Sequence, residues 1–257
     1  MAVRFKYIYG PVPSWRVGSS LGVDLLSQKE KICSFDCIYC QLGKTIKSTS
    51  TRQFYSSQEE VLKELSALPE MSIDYITFSG RGEPTLATNL GSMISAVRKL
   101  RRESIAVITN SSLMNRQDVR DELSYADFVI AKLDASSQGS LAFVNRPFQG
   151  MGFDAIAEGL KEFKRCFQGK LALQIMFMKQ NVEYAGEIAR IAREIDPHEV
   201  QINTPLRPCG VEPLGREELS GIKGLFGGLT SISVYESQKK IVQPISDDDT
   251  LRRRGKV

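Results

Sequence analysis

The sequence predicts an α/β protein whose sheet contains about six parallel strands and is either open or curled into a barrel. Apolar, β-branched runs alternate with amphipathic segments along most of the 257 residues. The central runs carry too few polar residues for half-exposed antiparallel strands, which is typical of buried parallel strands. Strands that alternate with helices are joined by right-handed crossovers, and about six strands are fewer than the eight of a complete barrel.

The individual elements follow from these patterns. The candidate strands are short apolar runs at Leu21–Leu26, Asp74–Ser79, Ser104–Asn110, Asp127–Asp134, Leu171–Met178 and Glu199–Asn203, with an edge strand expected in 231–237. A capping box that begins at Ser57 predicts the first helix, which ends at about Leu68. Helical spacing of apolar residues predicts further helices at 90–100, 153–167 and 185–195, and a weaker one at 116–124.

The composition excludes several classes of protein. With 42% hydrophobic and 25% charged residues, the chain resembles a soluble globular protein rather than a disordered one. No apolar run is as long as the ~18 residues of a membrane span. The N-terminus has no apolar signal core. We therefore expect a cytoplasmic protein that does not bind membranes.

The net charge of +4 comes from the C-terminal end of the chain. Removing Arg252, Arg253, Arg254 and Lys256 leaves 30 basic against 30 acidic residues. A broad nucleic-acid surface needs a basic face, so the overall charge gives no support for one. We expect 246–257 to be a loose basic tail. The predicted organisation is an N-terminal extension at 1–20, a core at 21–210, and a C-terminal extension with the basic tail at 211–257.

Three of the five cysteines lie within eight residues. Cys33, Cys37 and Cys40 have the spacing C-x3-C-x2-C, and an odd number of cysteines with three so close together indicates a metal site rather than disulfides. Three thiolates on one loop can bind three irons of a cubane cluster and leave the fourth iron open. A zinc site would need a fourth ligand. The single histidine, His198, is expected at the surface, and Cys166 is expected to pack against the core.

Two motifs resemble those of the radical S-adenosylmethionine (SAM) superfamily. An aromatic residue, Tyr39, directly precedes the third cysteine of the cluster motif. The turn SGRGEP after the second strand is similar to the GGEP motif of that superfamily, with Arg81 at the second glycine position. The resemblance extends from Leu21 to Leu206. The opening segment YGPVPSWRVGSSLGVDLL is also similar to the branch that includes the wyosine-base synthases, which act on tRNA.

The resemblance implies a fold, cofactors and a reaction. The sheet would be a partial (βα)6 barrel, and Cys33, Cys37 and Cys40 would ligate a 4Fe-4S cluster whose open iron binds SAM. One electron from the reduced cluster would cleave SAM to methionine and a 5′-deoxyadenosyl radical, which abstracts a hydrogen atom from the substrate. The electron donor would be a flavodoxin or a ferredoxin. The substrate would be a small molecule or a nucleoside, with RNA as one option.

The candidate cofactor residues lie at the carboxyl ends of the strands, where such sheets bind ligands. Tyr39 matches the aromatic residue near the adenine, and the glycine turn would hold the SAM ammonium, with Glu83 bracing that turn. Lys132 and Asp134 share one face of the fourth strand, where a buried charge needs a partner or a ligand. The full set is Tyr39, Gly80, Arg81, Gly82, Glu83, Asn110, Ser111, Lys132, Asp134, Gln174 and Asn203.

Substrate contacts are expected from residues near the same rim, which are Trp15, Arg16, Arg146, Arg207 and Cys209. Arginine side chains suit phosphate or carboxylate groups. Two other functions stay open at this point. An activase that generates a radical on a partner protein would share this site and would also need a docking surface. A non-catalytic metal-binding module would explain the cysteines but not the polar residues at the other strand ends.

Overall fold

The structure is a computed structural model that describes residues 5–238 and 240–254. Its strands are β1 (Ile8–Ser14), β2 (Gly18–Val23), β3 (Ile32–Cys33), β4 (Lys47–Ser48), β5 (Tyr75–Phe78), β6 (Ser104–Thr109), β7 (Phe128–Lys132), β8 (Lys170–Met176), β9 (Glu199–Asn203) and β10 (Ser231–Ser233). Its α-helices are α1 (Gln58–Ser66), α2 (Leu90–Leu100), α3 (Gln117–Leu123), α4 (Gln138–Val144), α5 (Phe153–Cys166), α6 (Ala185–Ile195), α7 (Arg216–Gly224) and α8 (Asp247–Arg254).

One eight-stranded sheet forms the centre of the fold, with the strand order β1-β2-β5-β6-β7-β8-β9-β10. Neighbouring strands are parallel except for β1 and β2, which form an antiparallel pair. The two edge strands, β1 and β10, do not pair with each other in the described residues, so the sheet is a partial barrel. The predicted α/β fold with six parallel strands is confirmed, and β10 lies at the edge as expected.

The helices bury apolar faces against this sheet. Helix α1 begins after Ser57, whose Oγ accepts a hydrogen bond from the Glu60 amide at 3.2 Å, which confirms the predicted start. In α2, Met93, Ile94 and Val97 are fully buried, as their helical spacing predicts. Each large apolar side chain buried in this way contributes roughly 1.5–3 kcal/mol. The other three predicted helices correspond to α3, α5 and α6.

The sequence prediction contains neither β1 nor the helices α4 and α7. The sequence of β1 does not indicate a strand because it contains Pro11 and Pro13. Proline lacks the amide that a central strand needs, but β1 is an edge strand, where proline is tolerated. Helix α4 is only seven residues long, too short for its apolar residues to establish a period. Helix α7 contains Gly221 and Gly224, which lower its intrinsic helix propensity.

The expectation of a loose basic tail is wrong for the part of it that the structure describes. Helix α8 packs against β1, and Asp249 and Arg253 within it are buried. The Arg253 guanidinium lies 3.6 Å from the Asp24 carboxylate and donates a hydrogen bond to Ser27 Oγ at 2.7 Å. Acidic residues in the first turn and basic residues in the last turn favour a helix through its macrodipole. Residues 255–257 lie outside the described residues.

Three further expectations concern surfaces and boundaries. His198 is exposed, as expected, whereas Cys166 at the end of α5 is also exposed, so the expectation that it packs in the core is wrong. No helix within residues 5–238 and 240–254 is long and apolar enough to cross a membrane. The domain boundaries at 20 and 210 stay a prediction.

Candidate functional site

A cavity of about 730 Å³ lies at the carboxyl ends of the parallel strands. Its volume is in the range of small-molecule sites. Because the carboxyl ends of parallel strands meet at one rim, residues that are far apart in the chain line it together. Its polar lining includes Tyr39 and Cys40 after β2, Gly80, Gly82 and Glu83 after β5, Thr109 and Asn110 at the end of β6, Lys132 on β7, Gln174 on β8 and Asn203 on β9.

The cysteine loop is fixed by main-chain hydrogen bonds to the end of α4. The amide of Asp36 donates to the carbonyl oxygens of Asn145 and Arg146 at 3.0 and 3.2 Å, and the amide of Ile38 donates to Val144 at 3.0 Å. The Asp36 carboxylate accepts a hydrogen bond from the main-chain amide nine residues further along the loop at 2.6 Å. The short strand β3, which carries Cys33, pairs with β4. The positions of the three thiols therefore depend on α4, an element that the sequence prediction lacks.

Each of the three thiols accepts a hydrogen bond from a different side chain. Asn110 Nδ2 lies 3.6 Å from Cys33 Sγ, Asn145 Nδ2 lies 3.4 Å from Cys37 Sγ, and Lys31 Nζ lies 3.1 Å from Cys40 Sγ. Donors of this kind stabilise negative charge on sulfur. Asn145 and Lys31 were not candidates at the sequence level, because no local pattern connects them to the cysteines they contact.

Burial, in contrast to these donors, disfavours negative charge on two of the three sulfurs. It raises the pKa of Cys33 to about 12 and the pKa of Cys37 to about 11, with the negative charges of Glu83 and Asp134 adding to the respective shifts. Metal ligands must be deprotonated, and a bound cation reverses this preference. No three His, Cys, Asp or Glu side chains in the described ranges are placed to hold one metal ion together. A cubane cluster makes a different demand, since each cysteine binds a different iron.

The glycine turn after β5 brings the main chain close to its neighbours. A Cβ at Gly82 would lie 1.9 Å from the Ile32 carbonyl oxygen, so only glycine fits beside β3. A side chain at Gly80, which has a φ of 154°, would collide with Asp24. Arg81 does not line the cavity; its amide donates to Asp24 at 3.2 Å. The two glycines therefore let this turn pack directly against β3, which carries Cys33, and against Asp24.

The buried carboxylate of Glu83 lies at the end of this turn and accepts hydrogen bonds from both sides of it. Its carboxylate accepts hydrogen bonds from the Thr85 amide at 3.1 Å, from Thr109 Oγ1 at 2.7 Å and from the Asn110 amide at 2.6 Å. Burial raises the pKa of Glu83, and these donors oppose that shift. The neighbouring Ser111 is fully buried and donates to the Lys132 carbonyl oxygen at 2.8 Å. It does not line the cavity.

Asp134 lies beneath the cavity and fixes Tyr39. The Tyr39 hydroxyl donates to Asp134 Oδ2, Asn145 Nδ2 donates to the same oxygen at 3.0 Å, and the Met176 amide donates to Oδ1 at 2.8 Å. Lys132 Nζ lies 3.4 Å from Asp134 Oδ1 and 5.0 Å from the centre of the Tyr39 ring. Lys132 and Tyr39 line the cavity, whereas Asp134, which is 2% exposed, does not.

Among the substrate candidates, Trp15, Arg16 and Arg207 line the cavity. Arg146 is exposed and lies away from it. Cys209 packs beside the cysteine loop rather than on the cavity wall, and its thiol donates to a main-chain carbonyl oxygen at 3.3 Å. The structure therefore brings three of the five candidates together.

Helix α8 supplies a wall of the cavity that the sequence analysis missed. The residues of this helix that line the cavity are Asp247, Asp248, Thr250, Leu251, Arg253 and Arg254. The reversal from acidic to basic residues along 247–254 is the one sequence signal that could have indicated a helix here. Its contact with the site depends on tertiary packing against β1.

The chain belongs to the radical SAM superfamily, whose family model matches residues 31–192. It is therefore an enzyme of a class that uses a 4Fe-4S cluster and SAM. It is also 40% identical over 220 residues to a UPF0026 protein of Synechocystis sp., an alignment that covers 84% of this chain and 81% of that protein.

Two solved structures show the same fold. SuiB of Streptococcus suis matches with a TM-score of 0.60 and 14% identity, over 79% of this chain and 48% of SuiB. Archaeal TYW1 matches with a TM-score of 0.57 and 15% identity, over 82% of this chain and 72% of TYW1. Both matches support the partial barrel.

Proposed function

We propose that this enzyme holds a 4Fe-4S cluster on Cys33, Cys37 and Cys40, binds SAM in the adjoining cavity, and abstracts a hydrogen atom from a small substrate there. The observation that supports this most directly is that Cys33 and Cys40 line the same cavity as the glycine turn and the polar ends of the strands. Three thiols with N–H donors on their sulfurs, next to a cavity of about 730 Å³, fit a cubane cluster and SAM.

When bound, the cluster and SAM supply one-electron reductive cleavage of the sulfonium and, with it, the capacity to abstract hydrogen. The chain's own residues bind and orient. Gly80 and Gly82 line the cavity, where their main-chain groups would meet the SAM ammonium, and Tyr39 presents a ring that Asp134 keeps in place. Lys132 would contact the SAM carboxylate or a ribose hydroxyl, since its ammonium lines the cavity.

Polar side chains deeper along the rim complete this proposed site. Gln174 and Asn203 line the cavity and offer amide groups to the ribose or to the substrate. Asn110 lines it as well and is held by Ser34 Oγ at 2.9 Å. Its amide is thereby aimed at the Cys33 sulfur. We further propose that the electron comes from a flavodoxin or a ferredoxin-type protein.

Anaerobic reconstitution tests the proposal. We expect about four irons per chain, and formation of 5′-deoxyadenosine when dithionite and SAM are added. Cys37→Ala should lose both the iron and the product. Cys166→Ala is the matched control, because this exposed cysteine lies at the end of α5 and should leave both unchanged.

Other outcomes would contradict the proposal. A single tightly bound zinc ion with no SAM cleavage would indicate a non-catalytic module. A radical that appears by electron paramagnetic resonance on an added polypeptide, with no small-molecule product, would indicate an activase. Retention of iron and product by Cys37→Ala would show that another donor serves the cluster.

A further inference from the structure

Three arginines from distant parts of the chain line the same cavity. Arg16 follows β1, Arg207 follows β9, and Arg254 ends α8. All three side chains are half-buried. Among the described residues, none of their guanidinium groups has a carboxylate within 4.0 Å, although 11 arginine–carboxylate pairs occur elsewhere in the same residues.

Neutral groups orient two of these arginines without neutralising them. The Gln174 side-chain oxygen accepts hydrogen bonds from Arg16, whose guanidinium stacks over Trp15 at 4.8 Å from the ring centre. Arg207 Nη1 donates to Gln41 Oε1 at 3.1 Å and to the main-chain oxygen of Arg254 at 3.0 Å. The second bond ties the end of α8 to the segment after β9. The cations are therefore held in place while their charge stays unbalanced.

Arg16 and Arg207 each lie close enough to Arg254 for its positive charge to lower their pKa. Burial lowers the pKa of Arg16 to about 9, and the positive charges of Arg254 and Arg207 contribute to this shift. Burial and the charge of Arg254 lower the pKa of Arg207 to about 10. Half-buried cations without a counterion are costly, and a bound anion removes that cost.

Acidic residues that line the same cavity do not serve as counterions for this cluster. Asp247 and Asp248 begin α8 and Arg254 ends it, which places them about 10 Å apart along the helix axis. The Glu83 carboxylate already accepts four hydrogen bonds around the turn after β5. SAM carries one carboxylate but has a net positive charge, so it would not balance three arginines.

We infer that Arg16, Arg207 and Arg254 bind a phosphate group of the substrate. The inference rests on the proposed function, since it places the substrate in the same cavity as SAM. A doubly charged phosphate balances more of the charge of three guanidinium groups than a singly charged carboxylate does, and arginine binds phosphate through paired hydrogen bonds. The substrate class is a small phosphorylated molecule, because the cavity is of small-molecule size and the charges of the chain outside its C-terminal end balance.

Binding of inorganic pyrophosphate, measured by titration calorimetry on the reconstituted enzyme saturated with SAM, tests this inference. Arg254→Gln and Arg207→Gln should each weaken pyrophosphate binding about ten- to hundredfold, as expected when one charged donor is lost. SAM affinity should change less than about twofold. Arg252→Gln is the matched control, because this exposed arginine on the same helix does not line the cavity and should leave both affinities unchanged.

Several results would overturn the inference. These are no measurable pyrophosphate binding, binding that Arg254→Gln leaves unchanged, or loss of SAM affinity in place of pyrophosphate affinity. A single-stranded RNA oligonucleotide serves as the second ligand. RNA binding that is tighter than pyrophosphate binding, and that Arg252→Gln weakens as much as Arg254→Gln, would indicate a surface for nucleic acid instead. Iron content and 5′-deoxyadenosine formation, measured on the same preparations, report separately on the proposed function.

Discussion

Replacing Arg253 by methionine should detach α8 from β1 and lower the free energy of unfolding by about 3–5 kcal/mol. The Arg253 side chain is 5% exposed and lies 3.6 Å from Asp24 and 3.7 Å from Asp249. It also donates to Ser27 Oγ at 2.7 Å. Methionine keeps much of the apolar stem but leaves the buried Asp24 carboxylate without its cation, which is the costly way to break a buried ion pair. Asp249 keeps a second cation, because Arg252 lies 3.9 Å away.

The protonation of Asp24 limits that loss and gives it a pH dependence. Burial raises the pKa of Asp24 from 3.8 to about 6, against the opposing charge of Arg253, and this rise corresponds to about 3 kcal/mol. Because the folded-state pKa is the higher one, the stability that protonated Asp24 contributes is present below about pH 4 and is lost as the pH rises through about 6. Removing Arg253 should raise the pKa further, so the variant should lose less stability at pH 5 than at pH 8.

Urea denaturation followed by circular dichroism measures this effect, and the fluorescence of Trp15, the single tryptophan, reports on the cavity wall. The double variant Asp24→Asn with Arg253→Met removes the unpaired charge and should recover at least about 1 kcal/mol of the loss at pH 8. Arg252→Met, at an exposed position of the same helix, should stay within about 0.5 kcal/mol of the wild type. A loss below about 1 kcal/mol for Arg253→Met, or no recovery in the double variant, would refute the reasoning.

Three further predictions concern the turn after β5 and the first helix. Gly82→Ala should lower the melting temperature and the iron content together, because the new Cβ would lie 1.9 Å from the Ile32 carbonyl oxygen. Gly186→Ala is the control: this position in α6 has open space around it, so the substitution should raise stability by up to about 1 kcal/mol. Glu83→Gln should cost about 1–3 kcal/mol in urea denaturation, because an amide nitrogen would face hydrogen-bond donors in a buried site; an unchanged midpoint would contradict this. Ser57→Ala should cost about 1 kcal/mol by removing the cap of α1, and a loss below about 0.3 kcal/mol would argue against that cap.

The parallel sheet could be predicted because each buried strand carries its own apolar run and each helix its own apolar period. Strand β1 could not be predicted, because Pro11 and Pro13 are compatible with a strand only at the edge of a sheet. Whether a segment lies at the edge depends on the other strands and cannot be inferred from the segment's own residues. The same limit applies to Asn145, which contacts Cys37 across 108 residues of sequence.

The sequence by itself determined the fold class, the spacing of three neighbouring cysteines and the convergence of polar residues at the carboxyl ends of the strands. These features follow from the spacing and periodicity of residues close together in the sequence, which can be recognised without knowing the tertiary contacts. Only the tertiary structure decided that residues 247–254 form a wall of the site, that Arg253 is buried against Asp24, and that Arg254 faces the cavity with Arg16 and Arg207. The physical reason is that basic side chains can be exposed to water or can be buried in ion pairs with acidic side chains. Tertiary packing decides which of these two environments each arginine of α8 occupies.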